Sequence, residues 1–155
     1  MTPEALQSYL HTHIPLSAAM DVEVLEASPD RVRLAAPIEP NLNMHGTAFG
    51  GSGATLALLA AWSALHLRLE QDSLQSQLVI HRSTMEYLLP IHGKFTAVAS
   101  LKNTDMTDFL ARYRRKGRSR LTVFADLLAD DKLAGRFTGD FVALREPIGS
   151  ATPTS

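Results

Sequence analysis

Four glycines, Gly46, Gly50, Gly51 and Gly53, crowd into the approach to a stretch from Ala54 to Leu69 that is dominated by alanine and leucine. Residues of this kind form helices readily, and a helix apolar on nearly every side has to be wrapped by the rest of the chain. At 16 residues, with His66 and Arg68 near its end, the stretch falls short of the roughly 20 apolar residues that a bilayer span requires. The expectation is a buried central helix and no membrane span.

The flanking sequence supplies the wrapping. Pro3 to Ile14 reads as a helix capped by Thr2, with Leu6, Tyr9, Leu10, His13 and Ile14 on one face. Asp21 to Ala27 and Arg31 to Ala35 alternate in polarity on either side of Ser28-Pro29-Asp30, the pattern of a hairpin. After the central helix come strand-like stretches at Leu78 to Leu89, Lys94 to Lys102, Ser119 to Leu128 and Leu133 to Leu144, with short turns at Pro90 to Gly93 and at Asp130-Asp131. Met106 to Lys116 holds a brief helix before Gly117. The fold class expected is α+β, one antiparallel sheet around a central helix, as a single domain over 1–148 with a disordered tail over 149–155.

Composition excludes several kinds of chemistry. Without cysteine there is no disulfide, thiolate nucleophile or cysteine metal site. The six histidines are scattered with no ligand spacing, so no metal is expected. A start of Met-Thr-Pro-Glu-Ala shows no signal-peptide pattern, and a cytoplasmic location is the expectation. A net charge of -1 attracts neither nucleic acid nor anionic membrane. Its distribution is uneven, however: Arg112, Arg114, Arg115, Lys116, Arg118 and Arg120 stand together, and the remainder of the chain carries nine basic against 16 acidic residues. Such a cluster fits an anion as well as it fits a solvated loop.

Glycines at a helix start admit close approach to the main chain, where unpaired N–H groups and the positive end of the dipole can hold a carbonyl oxygen and its developing charge. They also serve tight packing. Thr47 and Ser52 offer hydroxyls for capping.

The series Gly46-Thr47, Gly50-Gly51 and Thr55-Leu56-Ala57 resembles the helix start of hotdog acyl-CoA thioesterases. Tyr87-Leu88-Leu89-Pro90 with Gly93 is similar to that superfamily's first strand after the helix, and Gly117-Arg118 to a later strand start. The nearest resemblance is to the putative thioesterase family of YiiD C-terminal type, through Asn43, Gly46, Thr47, Phe49, Gly51 and Ser52. It implies a hotdog fold, hydrolysis of an acyl-CoA or acyl carrier protein thioester, no cofactor beyond the coenzyme A of the substrate, and a homodimer or dimer of dimers.

It also implies a site. Gly46, Thr47, Gly50 and Gly51 would hold the thioester, its carbonyl lying against N–H groups around Gly51 and Ser52; Asn43, His45 and Ser52 are the candidates for catalysis; His81 and Glu86 are candidates to reach a partner's site; Lys116, Arg118 and Arg120 would hold the coenzyme A phosphates. One departure stands out. Better-known hotdog thioesterases carry a carboxylate on the central helix where this chain has Leu58, and no Asp or Glu occurs between Glu39 and Glu70. Leu58 keeps open an alternative, a non-catalytic module that binds acyl thioesters or docks a carrier protein.

Overall fold

A computed structural model of the chain describes residues 1–145; the expected tail over 149–155, and the end of the 1–148 domain, lie outside the described residues. The elements run α1 (Pro3–His13), α2 (Pro15–Ala19), β1 (Glu23–Ala27), β2 (Arg31–Ala36), α3 (Gly50–Gln71), β3 (Gln77–Tyr87), β4 (Phe95–Ser100), α4 (Thr107–Lys116), β5 (Arg118–Ala129) and β6 (Lys132–Leu144). The six strands form one antiparallel sheet in the order β1-β2-β4-β5-β6-β3, wrapped around α3 as the hotdog arrangement requires.

Two boundaries differ informatively from the sequence reading. The expected helix over Pro3 to Ile14 is interrupted at Ile14, and Pro15, which lacks an N–H and disfavours a helical residue before it, opens the short α2. The central helix begins at Gly50 rather than after the glycines, so Gly50, Gly51 and Gly53 form its first turn. At the β5–β6 hairpin Asp130 and Asp131 both have positive φ, 51° and 59°, the left-handed pair that a tight two-residue turn demands and that Asp tolerates better than most residues.

The core lies between α3 and the concave face of the sheet. Ala57, Ala60, Ala61 and Ala64 are fully buried, and their small side chains admit the rings of Phe95, Phe137 and Phe141 and the side chain of Leu34 within the same interior. Each fully buried Leu or Phe contributes about 1.5–3 kcal/mol of transfer free energy. Odd-numbered residues of β5, Ser119, Val123, Ala125 and Leu127, face this core, while Arg118, Arg120, Phe124 and Asp126 face out from the other side.

α1 lies across the back of α3. Tyr9 stacks on Trp62 and His66, with ring centroids 6.2 and 5.3 Å apart, and Trp62 Nε1 donates to Leu78 O at 3.0 Å. His66 is sandwiched here, and burial holds its pKa below the ordinary histidine value despite Glu70, whose carboxylate stands 3.6 Å away and pulls the other way. A depressed folded-state pKa means that the unfolded chain protonates first as pH falls. Stability should therefore be constant above about pH 6.5 and fall below it until the folded His66 itself titrates. Urea midpoints from pH 8 to 5 check this: His66→Phe, which keeps the ring stack but cannot titrate, should lose less stability over that range than the wild type. Equal losses would refute the assignment.

Candidate functional site

The loop before α3 is held by its own amides. Asn41 is buried and donates through Nδ2 to Met20 O at 3.0 Å and Pro37 O at 2.8 Å, which anchors the loop to the end of α2. Asn43 organises the turn beyond it: Oδ1 accepts from His45 N at 2.8 Å and Thr47 N at 3.2 Å, Nδ2 donates to Thr47 Oγ1 at 2.8 Å, and its main-chain N–H donates to Thr47 O. Gly46 closes the turn at φ 76°, a conformation that favours glycine. Ala48 N then donates to Ile91 O and Phe49 N to Asn41 O, fixing where the helix begins.

Neither hydroxyl expected to cap the helix does so. Phe49 is the N-cap, there is no side-chain cap, Ser52 already lies within the helix and Thr47 is committed to Asn43. Phe49 O accepts from Ser52 N at 2.9 Å and Gly53 N at 3.2 Å. Among the described residues this leaves the N–H groups of Gly50 and Gly51 without an acceptor. Two adjacent donors at the positive end of a 22-residue helix are the arrangement that stabilises a carbonyl oxygen as it gains charge. The pair is Gly50 and Gly51, one residue earlier than the sequence suggests, because Ser52 N is already satisfied.

Beside the pair lies an apolar cavity of about 280 Å³ lined by Phe49, Gly53, Leu88, Pro90, Leu127 and Ala134. Tyr87 pins its rim, donating through its hydroxyl to Gly50 O at 3.0 Å. The hydroxyl holds the first turn of α3 against the end of β3, a contact invisible in the sequence because the two residues are 37 apart. His45 is exposed in the turn, and only its backbone has a partner among the described residues. Ser52 lines the opposite flank of the helix start with Thr55. Leu58, seven residues beyond Gly51 and therefore on the same helix face roughly 10 Å along, is half-buried against the core.

The remaining candidates lie elsewhere in the chain. Glu86 is opposite Arg136 on the outer face of the sheet, since its neighbour Tyr87 is the residue that faces α3. His81 is exposed where the β3 register shifts. Lys116, Arg118 and Arg120 stand at the opposite end of the sheet from the glycine turn: Leu127 touches the Gly53 position, and Arg118 is nine residues back along β5, roughly 30 Å. A single chain therefore does not bring the basic cluster and the glycine turn together. Among the described residues none of the six cations of that cluster forms an ion pair, no group of His, Asp and Glu converges as a metal site would, and no helix is long and apolar enough to cross a membrane.

The same architecture occurs in solved structures. A protein of unknown function from Chlorobaculum tepidum superposes with a TM-score of 0.87 at 27% identity, over 94% of this chain and 98% of that one. A protein described as a putative thioesterase from Shewanella oneidensis gives 0.82 at 25% identity, over 92% and 96%. The thioesterase HI1161 from Haemophilus influenzae gives 0.75 over 96% and 95%, at an identity of 18% that speaks to the fold alone. The family model described as Putative thioesterase (yiiD_Cterm) matches residues 3–145, almost the whole of the described chain with its glycine turn and helix start, and the protein belongs to that family.

Proposed function

We propose that this thioesterase-family protein hydrolyses acyl-coenzyme A or acyl carrier protein thioesters in the cytoplasm, as a homodimer or a dimer of dimers, with no cofactor beyond the coenzyme A of the substrate. The observation that carries the reading is the pair of free N–H groups on Gly50 and Gly51 beside an apolar cavity. The carbonyl oxygen accepts from both, the acyl chain enters the cavity, a water oxygen attacks the carbonyl carbon, and the carbon–sulfur bond breaks to release the thiol. His45 takes the proton from water and returns it to the leaving sulfur, its ring being free in a turn that Asn43 holds rigid. Asn43 acts as a positioning residue, and Ser52 holds water on the flank it lines.

A second copy supplies what one protomer lacks. β3 is a sheet edge of 11 residues and largely exposed, the kind of edge that natural proteins cover or pair. Antiparallel pairing of two β3 edges about a two-fold axis carries the Gln77 end of one copy to the Tyr87 end of the other. Gln77 pairs with Leu144 and Leu144 with Arg118, so Lys116, Arg118 and Arg120 of the second copy arrive at the end that holds the first copy's glycine turn. There they bind the phosphates of coenzyme A or an acidic carrier protein. The same pairing sends Glu86 of the second copy away and leaves His81 the nearer of the two strand candidates.

Thiol release from acyl-coenzyme A substrates of graded length tests the activity. Turnover at some length supports the reading, and binding without turnover at any length favours the alternative, a module that binds thioesters or docks their carrier, which Leu58 in place of a carboxylate supports. His45→Ala and Ser52→Ala then report on the proton and water roles. Arg118→Glu should raise KM about ten- to a hundredfold for coenzyme A substrates while sparing a truncated pantetheine thioester, given about 1.5–3 kcal/mol for a charged hydrogen bond. Equal losses on both substrates would remove the phosphate contact.

A further inference from the structure

Phe49 is the N-cap of α3 and, as a residue, is 58% exposed. Its ring folds back over the helix start, and a Cβ built on Gly51 would stand 2.4 Å from Phe49 Cε1. Glycine at 51 is what lets the ring lie there. Two apolar cavities flank it: the one of about 280 Å³ that includes Gly50, Gly53 and Leu127, and a second of about 250 Å³ that includes Met20, Gly51 and Thr55. Phe49 is the residue common to both linings. The ring thus stands between two apolar cavities at the two free N–H groups.

We propose that Phe49 is a partition that limits acyl-chain length. With its carbonyl on Gly50 and Gly51, a short chain fills the first cavity and ends at the ring, and a longer chain reaches the second cavity only when the ring swings aside. The pivot is free to do this, since the ring is half in solvent and the Phe49 backbone is held independently by Asn41 O and by the amides of Ser52 and Gly53. Removing the ring joins the two cavities and roughly doubles the apolar volume next to the donors. Each further methylene that finds apolar cover then gains about fourfold in affinity.

The inference rests on the thioester reading of this site, so its test uses two readouts. Wild type, Phe49→Ala and Phe49→Trp are compared for kcat/KM on straight-chain acyl-coenzyme A substrates from four to 16 carbons. Binding of the matching thioether analogues, which cannot be hydrolysed, is measured alongside. Phe49→Ala should favour chains beyond the wild-type optimum over shorter ones by about tenfold or more, and Phe49→Trp should shift the preference to shorter chains. Length profiles that move in parallel in both variants, with turnover present, overturn the partition and leave hydrolysis standing. A thioether profile that depends on residue 49 in a protein with no turnover upholds the partition and overturns hydrolysis. Should Phe49→Ala fail to fold, Phe49→Trp and Phe49→Leu carry the comparison, and an unchanged optimum in both overturns the partition.

Discussion

Gly50→Pro should fold like the wild type and lose about 10²- to 10³-fold in kcat, the cost of removing one oxyanion donor. Proline is well suited to the first position of a helix, where its missing N–H breaks no intrahelical bond. The backbone accepts it: Phe49 has φ -58° and ψ 133°, within the extended region that a residue before proline prefers. A Cβ at Gly50 meets the Tyr87 ring at 3.4 Å, and the Gly50 carbonyl remains free to accept from the Tyr87 hydroxyl. Gly50→Ala adds the same Cβ and keeps the N–H, so it should lose far less. Thermal midpoints within a few degrees of wild type, with kcat for both variants, separate a missing donor from a damaged fold. Similar rates for Gly50→Pro and Gly50→Ala would show that this N–H takes no part.

The largest stability effect is expected at Phe141, whose side chain is fully buried on β6, in register with Ile80 on one side and Leu121 on the other. Its ring also covers Gly139, where a Cβ would lie 2.9 Å from Phe141 Cε2 and 2.7 Å from Phe137 Cε1. The two rings thus close over a position without a side chain. Phe141→Ala opens a cavity that the hydrogen-bonded ladders of β5 and β3 cannot collapse to fill. The expected loss is about 3–5 kcal/mol by urea unfolding, with little change in the denaturant slope. A loss below about 1.5 kcal/mol would mean that this part of the core repacks.

The fold was legible because its signals are local. The Ala- and Leu-rich run of α3, the alternation in β5 and β6 and the turn residues Asp130 and Asp131 each specify an element within a few positions. Ile14 reads as helical because it continues the apolar face of Leu6 and Leu10, and it is Pro15 that ends the helix there. At the site, Gly46, Gly50 and Gly51 were recognisable as a type of helix start, but which N–H groups stay free depends on Phe49 O accepting from Ser52 and Gly53. Residue types carry no such information. The resemblance also makes Asn43 a candidate for catalysis, and only the structure shows that its side chain holds three atoms of its own turn. Lys116, Arg118 and Arg120 look adjacent to the site only while topology is unknown, because β5 runs the length of the sheet between them and Leu127.

The central claim is that the Gly50 and Gly51 amides hold a thioester carbonyl. Amide NMR of ¹⁵N-labelled protein tests it with two non-hydrolysable acyl-coenzyme A analogues of equal length, a ketone that keeps the carbonyl and a thioether that lacks it. The Gly50 and Gly51 proton resonances should move downfield with the ketone and much less with the thioether, while residues lining the apolar cavity respond alike to both. Equal shifts of the two amides with both analogues, or no shift with either, would contradict the account.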